Sequence, residues 1–276
     1  MSSRHERQIG LELGAAPMRG SLQVRAVSRH FRIDGAALTA LDGVSLDIAP
    51  GEFITILGAS GCGKSTLLRL LAGLDAPNAG TLLHDGELIA GPSLQRGLVF
   101  QEHRLFPWLT VEGNVSAALL NAPGDAAAKR CAIAEHIALV GLAGFEKAWP
   151  HQLSGGMAQR AAIARGLVNR PDVLLLDEPF GALDALTRAR LQDELKRIWQ
   201  RERATMVLVT HDVDEALHLG QRVVVMSPRP GRIRRVFETP ADLSRDRADR
   251  AHARLRAAVL ATLEDRAAEP LPANAA

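Results

Sequence analysis

Two cysteines, Cys62 and Cys131, stand in a chain of 276 residues. That is too few to staple a fold, so a disulfide framework is not expected and a reducing compartment fits. No apolar run approaches the ~20 residues of a membrane-spanning helix, so membrane association is expected to come through a partner. Residues 1–20 are polar with no apolar h-region, and the expectation there is a tail without a secretory leader. A dominant charge is lacking too. The 33 basic residues face 31 acidic ones for a net charge of +2, and no electrostatic case for nucleic acid follows. No internal repeat is found. What is there is ordinary: 47% hydrophobic and 23% charged residues, in a length that suits one large α/β domain or two small ones with a sizeable core.

Lysine is also scarce, four of the 33 basic residues, and one of the four is Lys64. It lies in Gly58-Ala59-Ser60-Gly61-Cys62-Gly63-Lys64-Ser65-Thr66, between the apolar run Phe53–Leu57 and the leucine-rich Leu67–Leu71. Strand, glycine loop and helix in that order, with the spacing G-x-x-x-x-G-K-[ST], make a phosphate loop. Glycines let the backbone turn its N–H groups inward, and the new helix adds its free N–H groups and positive dipole end. Lys64 supplies a compact charge where a planar arginine fork fits less well. Ser65 offers a hydroxyl to Mg²⁺, which binds through few protein ligands. Cys62 reads as a small loop residue with no redox duty.

The rest of the chain frames this loop. Leu22–Arg32 alternates and reads as an edge strand, Asp34-Gly35 as a turn, and Leu41–Ile48 as a second antiparallel strand. A helix is expected over 64–74, a small hairpin over 81–89 and a short strand over Gly97–Phe100. From Val111 to Arg165 no convincing strand appears, and Ala126–Leu139 and Met157–Val168 read as helices. Strands return at Val173–Leu176, Met206–Val209 and Val223–Met226, whose β-branched and leucine runs suit buried parallel strands. Thr187–Arg203 carries Leu191, Leu195, Ile198 and Trp199 on one stripe and reads as a covering helix. In the last stretch Leu255, Val259, Leu260 and Leu263 give one apolar face to a helix packed back on the body, and Ala267–Ala276 is expected to be disordered. The fold class is therefore α/β: a mostly parallel sheet with helices on both faces, an antiparallel β part and an inserted helical part.

Further chemical stations follow. Val173-Leu174-Leu175-Leu176-Asp177-Glu178-Pro179 delivers two carboxylates at the carboxyl end of a buried strand, where ligands of open α/β sheets bind. Asp177 suits Mg²⁺ there, and Glu178 is placed to take a proton from water or to orient it. Leu153-Ser154-Gly155-Gly156-Met157-Ala158-Gln159-Arg160 opens a helix with Ser154 as its cap and makes a second anion site. His211 ends Val207-Leu208-Val209-Thr210-His211, placed to meet a terminal phosphate. Gln101 ends another strand and either orients water or Mg²⁺ or caps that strand.

In this order the residues resemble the ATPase subunit of an ATP-binding cassette transporter, over roughly Leu22–Val236. The resemblance identifies Gly58–Thr66 as the Walker A loop, Gln101 as the Q-loop, Leu153–Arg160 as the signature, Val173–Glu178 as Walker B, Gly181-Ala182-Leu183-Asp184 as the D-loop and His211 as the switch. It implies a P-loop NTPase core over 21–97 and 166–237, a helical subdomain over about 98–165, and a short C-terminal helix and tail over 241–276. It implies ATP and Mg²⁺ as ligands, Ser154, Gly155, Gly156 and Gln159 as nucleotide contacts made across a head-to-tail homodimer, and Glu178, His211 and Gln101 as the hydrolytic residues. Phe31 matches the aromatic that stacks on adenine. Most members have tyrosine at that place, and this chain has no tyrosine at all.

Two local strings are similar to importer ATPases for nitrate, taurine and aliphatic sulfonates, most of all the sulfonate type: His103–Val111 and Ser227–Ile233. For that group two transmembrane permease subunits, an indirect periplasmic solute-binding protein and a place on the cytoplasmic face of a bacterial inner membrane are implied. Leu105, Phe106, Pro107 and Trp108 would receive a helix of the permease, or serve as core packing. The competing readings are a taurine or nitrate importer, a soluble cassette protein acting on nucleic acid or ribosomes, and a small-molecule kinase, which would not explain Leu153–Arg160.

Overall fold

In chain order the strands are β1 (Leu22–Ile33), β2 (Ala36–Ile48), β3 (Phe53–Leu57), β4 (Ala79–His84), β5 (Glu87–Leu88), β6 (Arg96–Val99), β7 (Val173–Asp177), β8 (Thr205–Thr210), β9 (Arg222–Met226) and β10 (Ile233–Glu238). The helices are α1 (Lys64–Leu71), α2 (Val111–Ala117), α3 (Ala126–Leu139), α4 (Gly155–Leu167), α5 (Ala185–Glu202), α6 (Val213–Leu219) and α7 (Arg250–Glu264). The structure is a computed structural model that describes residues 19–33, 35–181, 183–240 and 249–264. The expectations for the N-terminal tail up to residue 18, Asp34, Ala182 and the tail from 267 lie outside those residues.

The main sheet runs β10-β9-β3-β8-β7-β6. Its five strands from β9 to β6 are parallel, and only β10 is antiparallel. Side chains of a strand alternate between the two faces, and here both faces are covered. Leu174, Leu176, Met206 and Leu208 pack on one side with α4 and α5, while Val173, Leu175, Val207 and Val209 pack on the other with α1 and the second sheet. That double burial is why these strands read as unbroken apolar runs. Strand β10 was not expected. Its sequence, Ile233-Arg234-Arg235-Val236-Phe237-Glu238, buries only Phe237, so it carries no alternation to read.

The second sheet has the order β2-β1-β4-β5. β1 is therefore not an edge strand as the sequence suggested, because the 79–84 strand pairs along its other side. Leu22, Val24 and Val27 of β1 face inward with Leu41, Val44, Leu46 and Ile48 of β2. Helix starts follow side-chain caps: Thr110, Asp125, Ser154, Asp184 and Asp212 each accept a backbone N–H of the first turn. These caps contribute about 1 kcal/mol apiece; Ser154 starts α4 as expected, and Asp184 starts α5 two residues earlier than expected. α1 ends at Leu71 rather than Leu74. Helix α7 docks on the body through Val259, with Leu255, Leu260 and Leu263 partly buried beside it, as expected. No helix among the described residues is long and apolar enough to cross a membrane.

Candidate active site

The expected chemical groups hang from one edge of the main sheet. In sheet order, the carboxyl ends of β3, β8, β7 and β6 lead into the phosphate loop, His211, Glu178 and Gln101. The loop itself turns on Gly63, the residue before α1, at φ +100°. A Cβ there would lie 2.7 Å from both the Ala40 carbonyl oxygen and Leu41 Cδ2, so glycine is required by conformation and by space alike. No side chain caps α1, which leaves its first N–H groups without a local partner of that kind.

Lys64 is 4% exposed, and its Nζ donates to the carbonyl oxygens of Gly58 at 2.7 Å and Ala59 at 3.1 Å. The same nitrogen lies 3.7 Å from Glu178 Oε1. Ser65 Oγ donates to Asp177 Oδ1 at 2.9 Å. His211 Nδ1 meets Glu178 Oε2 at 2.9 Å. Thus five of the predicted residues form one constellation: Ser65 with Asp177, and Lys64 and His211 on the two oxygens of Glu178. Adjacent strand residues point to opposite faces, yet both carboxylates serve this edge. The left-handed backbone of Glu178, at φ +43°, breaks the alternation, and its N–H bonds to the Val209 carbonyl at 2.9 Å. Such a conformation costs on the order of 1–3 kcal/mol for a non-glycine residue and persists where the surroundings fix it, commonly at functional sites.

Burial pushes the Asp177 carboxyl above its ordinary range, and the charge of Glu178 adds to this, while the Ser65 bond, Lys64 and Arg104 oppose it. A carboxylate in that position gains from an arriving cation, and the hydroxyl–carboxylate pair is a hard oxygen donor set of the kind Mg²⁺ takes. Cys62 is buried, and burial pushes its thiol up, which keeps it protonated and unreactive. A second cluster among the described residues, His84, Asp85 and Asp172, has a different character. Arg96 can only donate, so His84 Nδ1 accepts from it at 3.3 Å, while the buried Nε2 stands 3.6 Å from Asp85 Oδ2 with no hydrogen-bond partner.

The remaining predicted residues are placed as follows. Gln101 is exposed, and its Nε2 lies 3.7 Å from where a Cβ on Gly181 would stand, beside the turn that follows Glu178. Phe31 is partly exposed, with the Arg29 guanidinium 4.8 Å from its ring centroid on one face. Ser154 caps α4 by accepting the Met157 N–H at 3.3 Å, and Ser154 and Gly155 are exposed. Gly156 is buried, where a Cβ would stand 2.7 Å from Thr187 Cγ2 of α5. Gln159 was expected to touch nucleotide, but its side chain is 4% exposed and its Nε2 has no partner. Position 159 falls on the inner face of α4, among Ala158, Ala162 and Ile163. Among the described residues no hydrogen bond joins 154–160 to the phosphate loop, Asp177, Glu178 or His211. The segment expected to be a second anion site makes no such bond to the first within this chain.

Leu105 is buried, whereas Phe106 and Trp108 are exposed, their rings 5.5 Å apart. The core-packing reading therefore holds for Leu105 alone. Asn114, which nothing in the sequence singled out, fastens this loop. It accepts the Phe106 N–H at 2.7 Å and donates to the Phe106, Leu109 and Thr110 carbonyls at 3.0 to 3.2 Å.

A second unforeseen residue is Glu215, whose carboxyl is raised to about 7, first by burial and then by Asp212, against the Thr210 bond, Arg188 and His211. The native state holds the proton more tightly than an unfolded chain would. Its contribution to stability is complete below the ordinary glutamate range and is lost as the pH rises through about 7. The shift corresponds to on the order of 3 kcal/mol. Glu215→Gln cannot ionise, so its melting temperature relative to the native chain should rise between pH 5 and pH 8. A constant difference across that range, read by calorimetry, would show that Glu215 titrates normally.

Three comparisons bear on this geometry. The model of the ABC transporter family matches residues 41–181. The aliphatic sulfonates import ATP-binding protein SsuB of Bacillus thuringiensis subsp. konkukian is 46% identical over 244 residues, 88% of this chain and 96% of that protein. Its namesake in Bacillus subtilis is 48% identical over 236 residues, 86% of this chain and 91% of that protein. Among solved structures, a dimeric, post-hydrolysis state of the ATP-binding cassette MJ0796 bound to ADP and Pi superimposes with a TM-score of 0.71 at 31% identity, covering 79% of this chain and 99% of that one.

Proposed function

The chain belongs to the ABC transporter family and is an ATPase of it, and from that premise we propose that it drives the import of aliphatic sulfonates as a pair of identical subunits docked on two membrane permease subunits. The observation that carries the sulfonate reading is the match along nearly the whole length of two importers of that name. The cytoplasmic face of the inner membrane, and an indirect link to a periplasmic solute-binding protein, follow from that reading.

The site residues divide the work. The phosphate-loop backbone from Gly58 to Thr66 cradles the phosphates, with Lys64 bonding the outer ones once it leaves the carbonyls it now touches. Ser65, Asp177 and Gln101 would hold Mg²⁺, which when bound offsets phosphate charge. Glu178 takes the proton of the attacking water as the water's oxygen bonds to the terminal phosphorus and the bridging bond breaks. His211, already on Glu178, orients that carboxylate and reaches the released phosphate. Phe31 stacks on adenine by its face away from Arg29.

Ser154, Gly155 and Gly156 cap the nucleotide of the partner subunit, which is why the two stations need no bond within one chain. Donors facing a charged group contribute roughly 1.5–3 kcal/mol each, so a few of them on the terminal phosphate hold the pair closed until hydrolysis removes it. The resulting opening is a rigid-body motion. The inserted residues from about 98 to 165 carry the face toward the permease, where exposed Phe106 and Trp108, braced by Asn114, receive an apolar permease helix.

The test is reconstitution of the chain with its co-purified permease in vesicles, with solute-binding protein inside. ATP hydrolysis should rise several-fold with an alkanesulfonate and stay basal with nitrate. Stimulation by nitrate or taurine alone would overturn the solute and leave the ATPase standing. Salt-sensitive activation by RNA without permease would overturn the importer reading.

A further inference from the structure

The turn that carries His211 is anchored on both sides by groups outside the hydrolytic constellation. Before it, Thr210 is 1% exposed. Its hydroxyl accepts the Asp212 N–H at 3.0 Å and donates to Glu215 Oε2 in a short bond. After it, Asp212 caps α6 by accepting the N–H groups of Asp214 at 2.9 Å and Glu215 at 3.1 Å. The other Asp212 oxygen lies 3.7 Å from Arg188 of α5. His211 is itself more than half exposed, and its ring contact with Glu178 at 2.9 Å is its one polar bond among the described residues. An imidazole so little packed keeps its direction only if its backbone is held.

Glu215 is an expensive way to hold it. The residue is 6% exposed, and its Oε1 is buried without a partner. A buried oxygen in that state costs free energy that a surface glutamate would not. The Asp212-x-x-Glu215 spacing is that of a capping box, in which the glutamate would reach back to the backbone N–H of Asp212. Here it bonds the Thr210 hydroxyl, and that hydroxyl takes the N–H. The carboxyl therefore closes a ring around His211.

We propose that Glu215 is a positioning residue for His211, fixing through the Thr210 hydroxyl the turn that aims the imidazole at Glu178. The proposal rests on the reading of Glu178 and His211 as the hydrolytic pair. Lys64 and Ser65 hang from β3 and α1, so loosening this turn lowers kcat and spares nucleotide affinity.

A double-mutant cycle of Glu215→Ala with His211→Ala tests it, with Glu215→Gln beside it and with kcat and the Kd for ATP measured separately. Glu215→Ala should lose roughly 10- to 100-fold in kcat, the cost of a misplaced catalytic group, with Kd unchanged within about twofold. Glu215→Gln keeps a carbonyl for the Thr210 hydroxyl and should recover most of that loss. In a His211→Ala background, Glu215→Ala should add nothing, since both changes remove the same alignment. If Glu215→Ala does not fold, Thr210→Val cuts the same link from its other end and should give the same pattern. A native kcat in Glu215→Ala and Thr210→Val, or a loss undiminished in the His211→Ala background, overturns the proposal. Native hydrolysis by His211→Ala alone would instead overturn the hydrolytic pair from which it starts.

Discussion

The Glu178→Gln protein is expected to bind ATP as the native chain does, to hydrolyse it about 10²–10⁴-fold more slowly, the range of a lost general base, and to change from one subunit to two when ATP and Mg²⁺ are added. Glutamine keeps the size of the side chain and an oxygen for His211, but its amide does not take up a proton at neutral pH. It also removes a negative charge 3.7 Å from Lys64 Nζ, which if anything favours a polyanion at the loop. Binding and hydrolysis should therefore separate. Single-turnover hydrolysis with light scattering reads both. Hydrolysis at the native rate would mean that Glu178 is not the base. Slow hydrolysis without pairing would place the assembly step on the permease.

Lys64→Ala acts one step earlier. The native ammonium is 4% exposed and donates to two carbonyls of its own loop. Its removal leaves those carbonyls and Glu178 facing the phosphates with no cation among them. A charge-assisted bond contributes roughly 1.5–3 kcal/mol, and the uncovered like charges add to the loss, so ATP affinity should fall by at least about 10²-fold. Lys64→Arg should not restore it, because a planar fork of five N–H groups cannot sit between the Gly58 and Ala59 oxygens as a compact ammonium does. Titration calorimetry with ATP decides this, and affinity within threefold of native would remove Lys64 from the phosphate site.

The first site was legible because its grammar is local. Strand, glycine loop and helix are adjacent in sequence, and Asp177, Glu178 and His211 each follow an apolar run, so the sheet edge that gathers them could be inferred. What escaped depended on distant or buried partners. β1 looked like an edge because the strand beside it, 79–84, comes some fifty residues later. β10 hid because it buries one side chain. Gln159 looked like part of a nucleotide-facing string, but helical periodicity turns it inward while Ser154 stays out. Glu215 went unmarked in the sequence, and only the position of the Thr210 hydroxyl shows what it bonds. Asn114 is one of several polar residues in a short helix until its four bonds to the 106–110 loop are seen.

The strand order also acts as a ruler. The phosphate loop, His211, Glu178 and Gln101 leave from four neighbouring strands of one sheet, at the same end. Their lateral spacing is therefore set by the interstrand repeat of about 4.8 Å, which is fixed by backbone hydrogen bonds and not by side-chain identity. Changes in the layers that cover the sheet can alter stability or the partner that docks there while the distances between the reacting groups hold. A lineage can thus exchange its covering helices, and with them the permease and the solute served, without having to reinvent its chemistry.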